Sequence, residues 1–476
     1  MNLRLATVAA LGPTRERASS FRVARFLDAA VFIGLLFLMV IAAAAYGGAD
    51  PWWKSFLTSL IFALGALASL EFVLSDNRPV EGLPILLPIV VLIAFSLVQT
   101  IPSPRSSGAA FGIGYRFWNS ISADPYETRV FALQLAGLVL FAGLLFRYLT
   151  SMGRLWLLVH TIIGIALVSA LFGLLRQTMQ HQPGFLFLPY YPDQGYGQFL
   201  NKNHFAYLME SGLGLILGLF ASGGVRRQRV LLYLALFLPI WVALVLSNSR
   251  GGIMGMLVQL IVTLLLFSAV VSEHHQAAGR AEKLIRSRAV VLVMIISLVL
   301  LVAGGVLWVG GDRLATSIEA ARGEFSESDE AREGAKRTQI WQATLRMIEA
   351  NPIAGVGMGG YWAEIPKFHQ ASGAMTPQQA HNDYLELLAS GGIVGLAIVV
   401  WFGVSALRQT RINLQARNHF ARAACFAALI AIVGIATHSL VDFGLHRMAN
   451  ALIFSSLIVM ATCNVTNDGS RKKEDV

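Results

Sequence analysis

HNDYLELLASGGIVGLAIVVWFGVS, residues 381–405, is the stretch on which the fold turns. It opens on His381-Asn382-Asp383-Tyr384-Leu385-Glu386, and from Tyr384 to Ser405 it is mostly apolar. A helix rising ~1.5 Å per residue needs about 20 such residues to cross a bilayer. Ionisable groups crowd one end only, so the segment predicts a membrane span whose head stands at the water surface. Eleven further runs of this kind flank it: 28–46, 55–74, 83–101, 129–147, 155–175, 203–221, 230–247, 252–271, 289–309, 420–437 and 448–463.

Composition agrees with that pattern. The chain has 476 residues, of which 55% are hydrophobic and 13% charged, and its mean hydropathy is +0.62. Soluble domains carry roughly a quarter of their residues as charges. An ordinary soluble enzyme, a disordered chain and a nucleic-acid binder are all excluded. The net charge of +10 follows topology instead. The two cysteines, Cys425 and Cys463, lie in apolar runs, so no disulfide framework is expected. The predicted fold is an all-α polytopic membrane protein of about twelve transmembrane helices.

Orientation comes from the Lys/Arg bias. With the N-terminus cytoplasmic, 22 of the 37 Lys and Arg residues fall inside and 15 outside, seven of the latter in one long loop. Arg226-Arg227-Gln228-Arg229, the cluster from Arg280 to Arg288, and Arg471-Lys472-Lys473 all land inside. The first run is too long for a signal-peptide core and reads as an uncleaved span. The predicted order is a cytoplasmic segment 1–27, spans one to nine over 28–309, an outer loop 310–382, spans ten to twelve over 384–463, and a cytoplasmic tail 464–476. A loop of that length between spans is where function concentrates.

Polar residues that topology does not explain gather on the outer face. Ala331–Ala350 reads as an amphipathic helix with Trp341, Leu345 and Ile348 at helical spacing and Arg337 a turn before Trp341. It is either a helix lying on the membrane or part of a site. Arg322, Arg332, Lys336, Arg346 and Lys367 read as solvated charges, and Glu327-x-Asp329 as a loop flank rather than a metal site. Asp383 and Glu386 have the spacing of a capping box. His381, just before that helix, would be held neutral by the positive end of the dipole and so fit to accept a proton. From position alone it is equally a histidine that merely bonds the helix end.

Asn201-Lys202-Asn203-His204 heads span six, and Glu210 lies about 10 Å further along it. Intramembrane acids face a cavity or a partner, which leaves binding and structural pairing both open. Ser249-Arg250-Gly251 forms a tight outer turn. Arg250 either snorkels to lipid headgroups or, with Arg337, supplies planar donors for phosphate oxygens. Six aromatics between Phe185 and Phe199 read as an interfacial belt or a stacking surface, and Trp52 and Trp53 as belt residues.

Taken together these residues resemble the O-antigen ligase family of bacterial envelope glycosyltransferases. The resemblance rests on His381-Asn382 followed after nine residues by Gly392-x-x-Gly395, on Ser249-Arg250-Gly251, on Arg337-x-x-x-Trp341 with Asn351-Pro352 and glycines behind it, and on Asn201-Lys202-Asn203-His204. It implies a GT-C-like, inverting, metal-independent enzyme of the bacterial inner membrane that needs no cofactor. Such an enzyme moves a glycan from undecaprenyl pyrophosphate to a hydroxyl of lipid A-core, or of another glycan, at the periplasmic face. Arg250 and Arg337 would hold the pyrophosphate, and His381 would take the hydroxyl proton. Asn203, His204, Glu210, Asn382 and Glu386 are further candidates for substrate binding. Membrane lipids are the other expected partners, and nucleic acid is not one. An O-antigen or exopolysaccharide polymerase, and an oligosaccharyltransferase acting on protein, would share these motifs. A transporter would instead place ionisable residues near the bilayer midplane, where Glu210 is the main example.

Overall fold

The computed structural model describes residues 15–75, 82–102, 120–178, 195–273, 337–369 and 377–465. Its principal helices are α1 (Arg15–Ala44), α2 (Pro51–Leu74), α3 (Leu83–Gln99), α4 (Pro125–Tyr148), α5 (Met152–Thr178), α6 (Lys202–Ala221), α7 (Val230–Leu246), α8 (Arg250–Glu273), α9 (Arg337–Ala350), α10 (Asp383–Asn413), α11 (His419–His438) and α12 (Met448–Thr462). Among the described residues, seven helices are long and apolar enough to cross a membrane, and α3, α7, α12 and the Arg250–Leu265 part of α8 are shorter apolar helices. The chain is an all-α polytopic membrane protein. Eleven of the twelve expected runs coincide with helices. The run 289–309 lies outside the described residues, as do Arg322, Glu327, Asp329, Arg332, Lys336 and the aromatics from Phe185 to Tyr191.

The centre of the bundle is the pair α6 and α11. Along α6 nearly every residue from His204 to Leu219 is buried. Gly214 and Gly218, one turn apart, lie against the backbone of Ala431 and Ala427, leaving no room for a side chain on α6. Small residues spaced four apart on both helices allow this approach, as they do wherever membrane helices pack by van der Waals contact. Near the other end of the bundle Glu71 of α2 accepts hydrogen bonds from Arg147 at 2.7 Å and from the Tyr148 hydroxyl at 2.9 Å, tying α2 to α4.

Alternate helix ends gather on one side. Arg447 Nη1 donates to the Ala49 carbonyl at 3.2 Å, joining the α11–α12 link to the α1–α2 link. Gln99 ends α3 there, and its side-chain amide donates to the carbonyls of Ala354 at 2.7 Å and Ser390 at 3.1 Å. By its rise α8 ends about 36 Å from its start, whereas Arg337 stands back on the gathered side. This grouping has the same parity as the outer face read from the sequence.

The segment Asn351–Gly360 is built into that end of the bundle. The helix α10 is broken at Gly392, whose φ of 60° and ψ of −163° are not helical. The freed amides of Ile393 and Val394 donate to the carbonyls of Pro352 (2.9 Å) and Ile353 (3.2 Å). In return Val356 and Gly357 donate to Ala389 and Ser390, each at 3.0 Å. A helix can be interrupted at membrane depth only where protein satisfies the exposed backbone, and here the loop does so. A Cβ on Gly392 would strike the Ile353 carbonyl. The Gly392→Ala variant is therefore expected to lose roughly 1–3 kcal/mol of stability, the usual cost of such backbone strain. A fall in melting temperature of the purified protein, larger than that of Gly403→Ala in open space on the same helix, checks this.

Candidate active site

Three cations converge at the gathered end. Lys202 is the first residue of α6 and Arg250 the first of α8, while Arg337 stands at the described start of α9. The charges of Arg250 and Arg337 both act on Lys202. The Asn201 side chain caps α6 by accepting from the Asn203 amide at 2.8 Å. For α8, Asn248 turns the chain with a φ of 55°, and Ser249 Oγ accepts from Gly252 at 3.2 Å. Cations at the positive ends of helix dipoles raise their own energy. Two of them at helix starts, facing a third, make a site that an anion stabilises.

His381 lies beside this cluster. Its φ of 52° puts it in the left-handed region, rare for a residue with a side chain although tolerated by histidine. Its neighbour Ala380 is pinned on both sides. The Ala380 amide donates to Glu386 Oε2 at 2.8 Å, and its carbonyl accepts from Trp341 Nε1 at 3.0 Å. Trp341 thus links the Arg337 helix to the His381 backbone. The sequence reading gave the cap to the Asp383–Glu386 pair, but the N-cap is Asn382. Its side chain accepts from Tyr384 and Leu385, each at 3.0 Å. Asn382 has the extended φ and ψ of a cap, whereas Asp383 already lies inside the helix. Asn382 and Glu386 therefore both shape the turn that carries His381.

Asp442, which the sequence reading passed over, is the hub. It accepts a hydrogen bond from Asn203 Nδ2 and another from the Phe443 amide at 2.8 Å. His381 Nδ1 and His204 Nε2 each stand 4.0 Å from its Oδ1. Arg447 Nε donates to His204 Nδ1 at 3.1 Å. A guanidinium can only donate, so His204 Nδ1 accepts and the proton of the neutral ring sits on Nε2, toward Asp442. The ring of Phe443 meets those of His204 and His381 edge-on, at 5.0 and 4.8 Å between centroids. Nδ1 of His381 is buried, while a third of the side chain, 33%, stays exposed, which leaves Nε2 on the open side. Burial holds the His381 pKa below its ordinary 6.5; Asp442 opposes that shift and the Arg337 charge reinforces it.

Beneath the cluster, Glu210 takes no part in the open site. Its Oε1 meets His438 Nδ1 at 3.0 Å, and neither side chain has any exposure. Tyr207 stacks on the His438 ring at 4.1 Å and its hydroxyl reaches Ser439 Oγ at 3.2 Å. The Ser439 carbonyl accepts from the Asp383 amide at 3.0 Å. Gly251, next to Arg250, lies against the His438 ring.

Other expectations are corrected by packing. In α9 the buried stripe is Ile340, Ala343, Thr344 and Met347; of the apolar residues read from the sequence, Ile348 packs against the same core and Leu345 is exposed. The stripe covers a small core with Val356, Tyr361 and Ile365, so the helix belongs to a small folded unit with the segment that follows it. Tyr196 and Phe199 are buried against Phe205, neither belt nor stacking platform. His438, His446 and Arg447 were missed along with Asp442, and Lys202 was read only as part of the Asn201–His204 motif. The signal available was their density, since His438–Arg447 holds four of these five. Among the described residues no group of three or more His, Cys, Asp and Glu is placed to hold a metal ion.

Residues 232–400 match the family model for O-antigen ligase, which supports the family read from the motifs. The match spans Arg250, Arg337, Trp341, His381, Asn382, Glu386 and Gly392; Lys202, Asn203, His204, Glu210 and Asp442 lie outside it. No curated protein matches the chain.

The buried pair yields a test of its own. Glu210→Ala leaves His438 Nδ1 without a partner, which costs on the order of 1–3 kcal/mol, whereas Glu210→Gln keeps an acceptor there. The alanine variant is expected to melt well below the glutamine variant; equal melting temperatures would remove the pair from the stabilising core.

Proposed function

From the O-antigen ligase match and the cation cluster beside His381, we propose that the chain is a membrane glycosyltransferase of the O-antigen ligase type. It transfers a glycan from undecaprenyl pyrophosphate to an acceptor hydroxyl, that of lipid A-core in this reading. The observation that carries it is the convergence of Lys202, Arg250 and Arg337 next to a partly open imidazole. The reading keeps twelve spans in a GT-C-like arrangement in the inner membrane, with both termini cytoplasmic and the site periplasmic.

The chemistry is one in-line displacement. The acceptor hydroxyl oxygen attacks the anomeric carbon, and the bond from that carbon to the pyrophosphate oxygen breaks. The electron pair leaves with the polyprenyl pyrophosphate, whose growing charge meets Lys202, Arg250 and Arg337. His381 Nε2 takes the hydroxyl proton. Asp442, facing Nδ1, stabilises the imidazolium once its 4.0 Å separation closes to hydrogen-bond length. Attack from the side opposite the leaving group inverts the anomeric centre. Three fixed cations supply the charge that a metal ion would otherwise bring, so the reaction runs without one.

Two measurements test this together. Arg250→Lys and Arg337→Lys keep the charge and lose the planar fork, so each should lower kcat/KM for the lipid-linked donor about tenfold, or about 1.4 kcal/mol. His381 acts as base only when neutral. Its lowered pKa therefore places the acid limb of the kcat/KM profile below pH 6.5. Asp442→Asn removes the charge that raises this pKa and should move the limb lower still. Unchanged turnover in both lysine variants, or a limb above pH 6.5, would count against the assignment.

A further inference from the structure

The left-handed backbone of His381, with its φ of 52°, has a steric cost that persists only where the surroundings over-determine it. The surroundings do so on both sides. After it, the Asn382 side chain caps α10, and the Asp383 amide donates to the Ser439 carbonyl at 3.0 Å. Before it, both backbone polar atoms of Ala380 are taken. Its amide donates to Glu386 Oε2 at 2.8 Å, and its carbonyl accepts from Trp341 Nε1 at 3.0 Å. That carbonyl belongs to the peptide leading into His381, so its direction sets the φ of His381. Ala380 has no exposure, so neither atom has water as an alternative partner.

Packing does not account for Trp341. The stripe that α9 buries is Ile340, Ala343, Thr344 and Met347, whereas Trp341 is only half-buried. Other bonds fasten the helix: Thr344 Oγ1 meets the Tyr361 hydroxyl at 2.7 Å, and Arg346 Nη2 donates to the Phe368 carbonyl at 2.8 Å. What Trp341 adds is the bond to Ala380. Arg337 and Trp341 stand four residues apart, one turn along the same face of α9. The helix that presents a cation to the site therefore also holds the turn that presents the imidazole.

We propose that Trp341 and Glu386 are positioning residues. Between them they clamp the Ala380 backbone, which keeps His381 left-handed with Nδ1 toward Asp442 and Nε2 on the open side. That the imidazole acts as a base rests on the transfer reading above; the clamp rests on its two hydrogen bonds. In this account Glu386 holds the turn rather than the substrate. The base is aligned through the helix that bears Arg337, so a donor that fixes Arg337 also steadies His381.

The test uses the full chain in phosphatidylcholine nanodiscs. Trp341→Phe keeps an aromatic ring and loses the N–H donor. Glu386→Gln keeps an acceptor for the Ala380 amide, and Glu386→Leu removes it. In a transfer assay Trp341→Phe and Glu386→Leu should each lower kcat about tenfold with KM for the lipid-linked donor held within about twofold, as expected when a reacting group is misplaced. Glu386→Gln should restore kcat to within about twofold of wild type. Trp341→Phe should keep the wild-type melting temperature, because α9 is fastened elsewhere. A second readout needs no transfer: the pH dependence of His381 modification by diethyl pyrocarbonate, which attacks the neutral ring, followed by mass spectrometry of its peptide. The wild-type midpoint should lie below 6.5. In Trp341→Phe the released ring should react faster, with its midpoint moved back toward 6.5. Wild-type kcat in Trp341→Phe, a raised donor KM in place of a lowered kcat, or Glu386→Gln as slow as Glu386→Leu would each overturn the proposal. So would a large fall in the melting temperature of Trp341→Phe, or an unchanged modification profile. If wild type transfers no glycan, the function reading fails while the modification profile still decides the clamp.

Discussion

Glu210 and His438 meet at 3.0 Å with no exposure on either side chain, and the end of the bundle that carries the candidate site is hung from that contact. A polar pair at this depth persists because each group supplies what the other lacks. It forms because α6 and α11 approach closely through Gly214 and Gly218 against Ala431 and Ala427. The elements of the candidate site then radiate from His438. Its ring packs on Gly251 beside Arg250. The next residue, Ser439, holds the Asp383 amide, and the same strand of chain continues to Asp442, opposite His381. Lys202 heads the helix on which Glu210 sits. A shift of α6 against α11 would therefore move two of the cations and the imidazole relative to one another.

The second organising constraint is electrostatic. Lys202, Arg250 and Arg337 are brought together against their mutual repulsion, and two of them occupy helix starts whose dipoles add to it. Folding energy holds that charge in place before any substrate arrives, which is the condition under which fixed charges accelerate loss of an anionic leaving group. Burial, reinforced by the Arg337 charge, holds the pKa of the imidazole beside them below its ordinary value. Asp442 opposes that shift, and its carboxylate is shared among Asn203, His204 and His381.

Most of the architecture was legible because apolar runs and their charged flanks are one-dimensional signals. Arg250, Arg337 and His381 were singled out by local signals too: a tight turn between spans, an amphipathic stretch and the head of a span, each within a motif that resembles the family's. What escaped depends on tertiary placement. Asp442 sits in a link that reads as an ordinary connection, and only folding brings it opposite two histidines. The cap register was off by one because Asn382 and Asp383 are both capping residue types and backbone dihedrals alone choose between them. The break at Gly392 is invisible in an apolar run, since the loop that satisfies it lies some forty residues away in sequence. In α9 apolar residues lie on two faces, and the buried one was decided by Tyr361 and Val356, outside the helix.

The central claim is that this cation cluster and its imidazole carry glycan transfer from a lipid pyrophosphate. The most direct measurement uses purified wild type and His381→Ala in proteoliposomes, with a synthetic polyprenyl-pyrophosphate-linked glycan and an acceptor glycolipid, in the presence of EDTA. One polyprenyl pyrophosphate released per new glycosidic bond in wild type, and neither product from the equally stable His381→Ala, is the expected result. Full transfer by His381→Ala, or transfer only when magnesium is restored, would contradict the account.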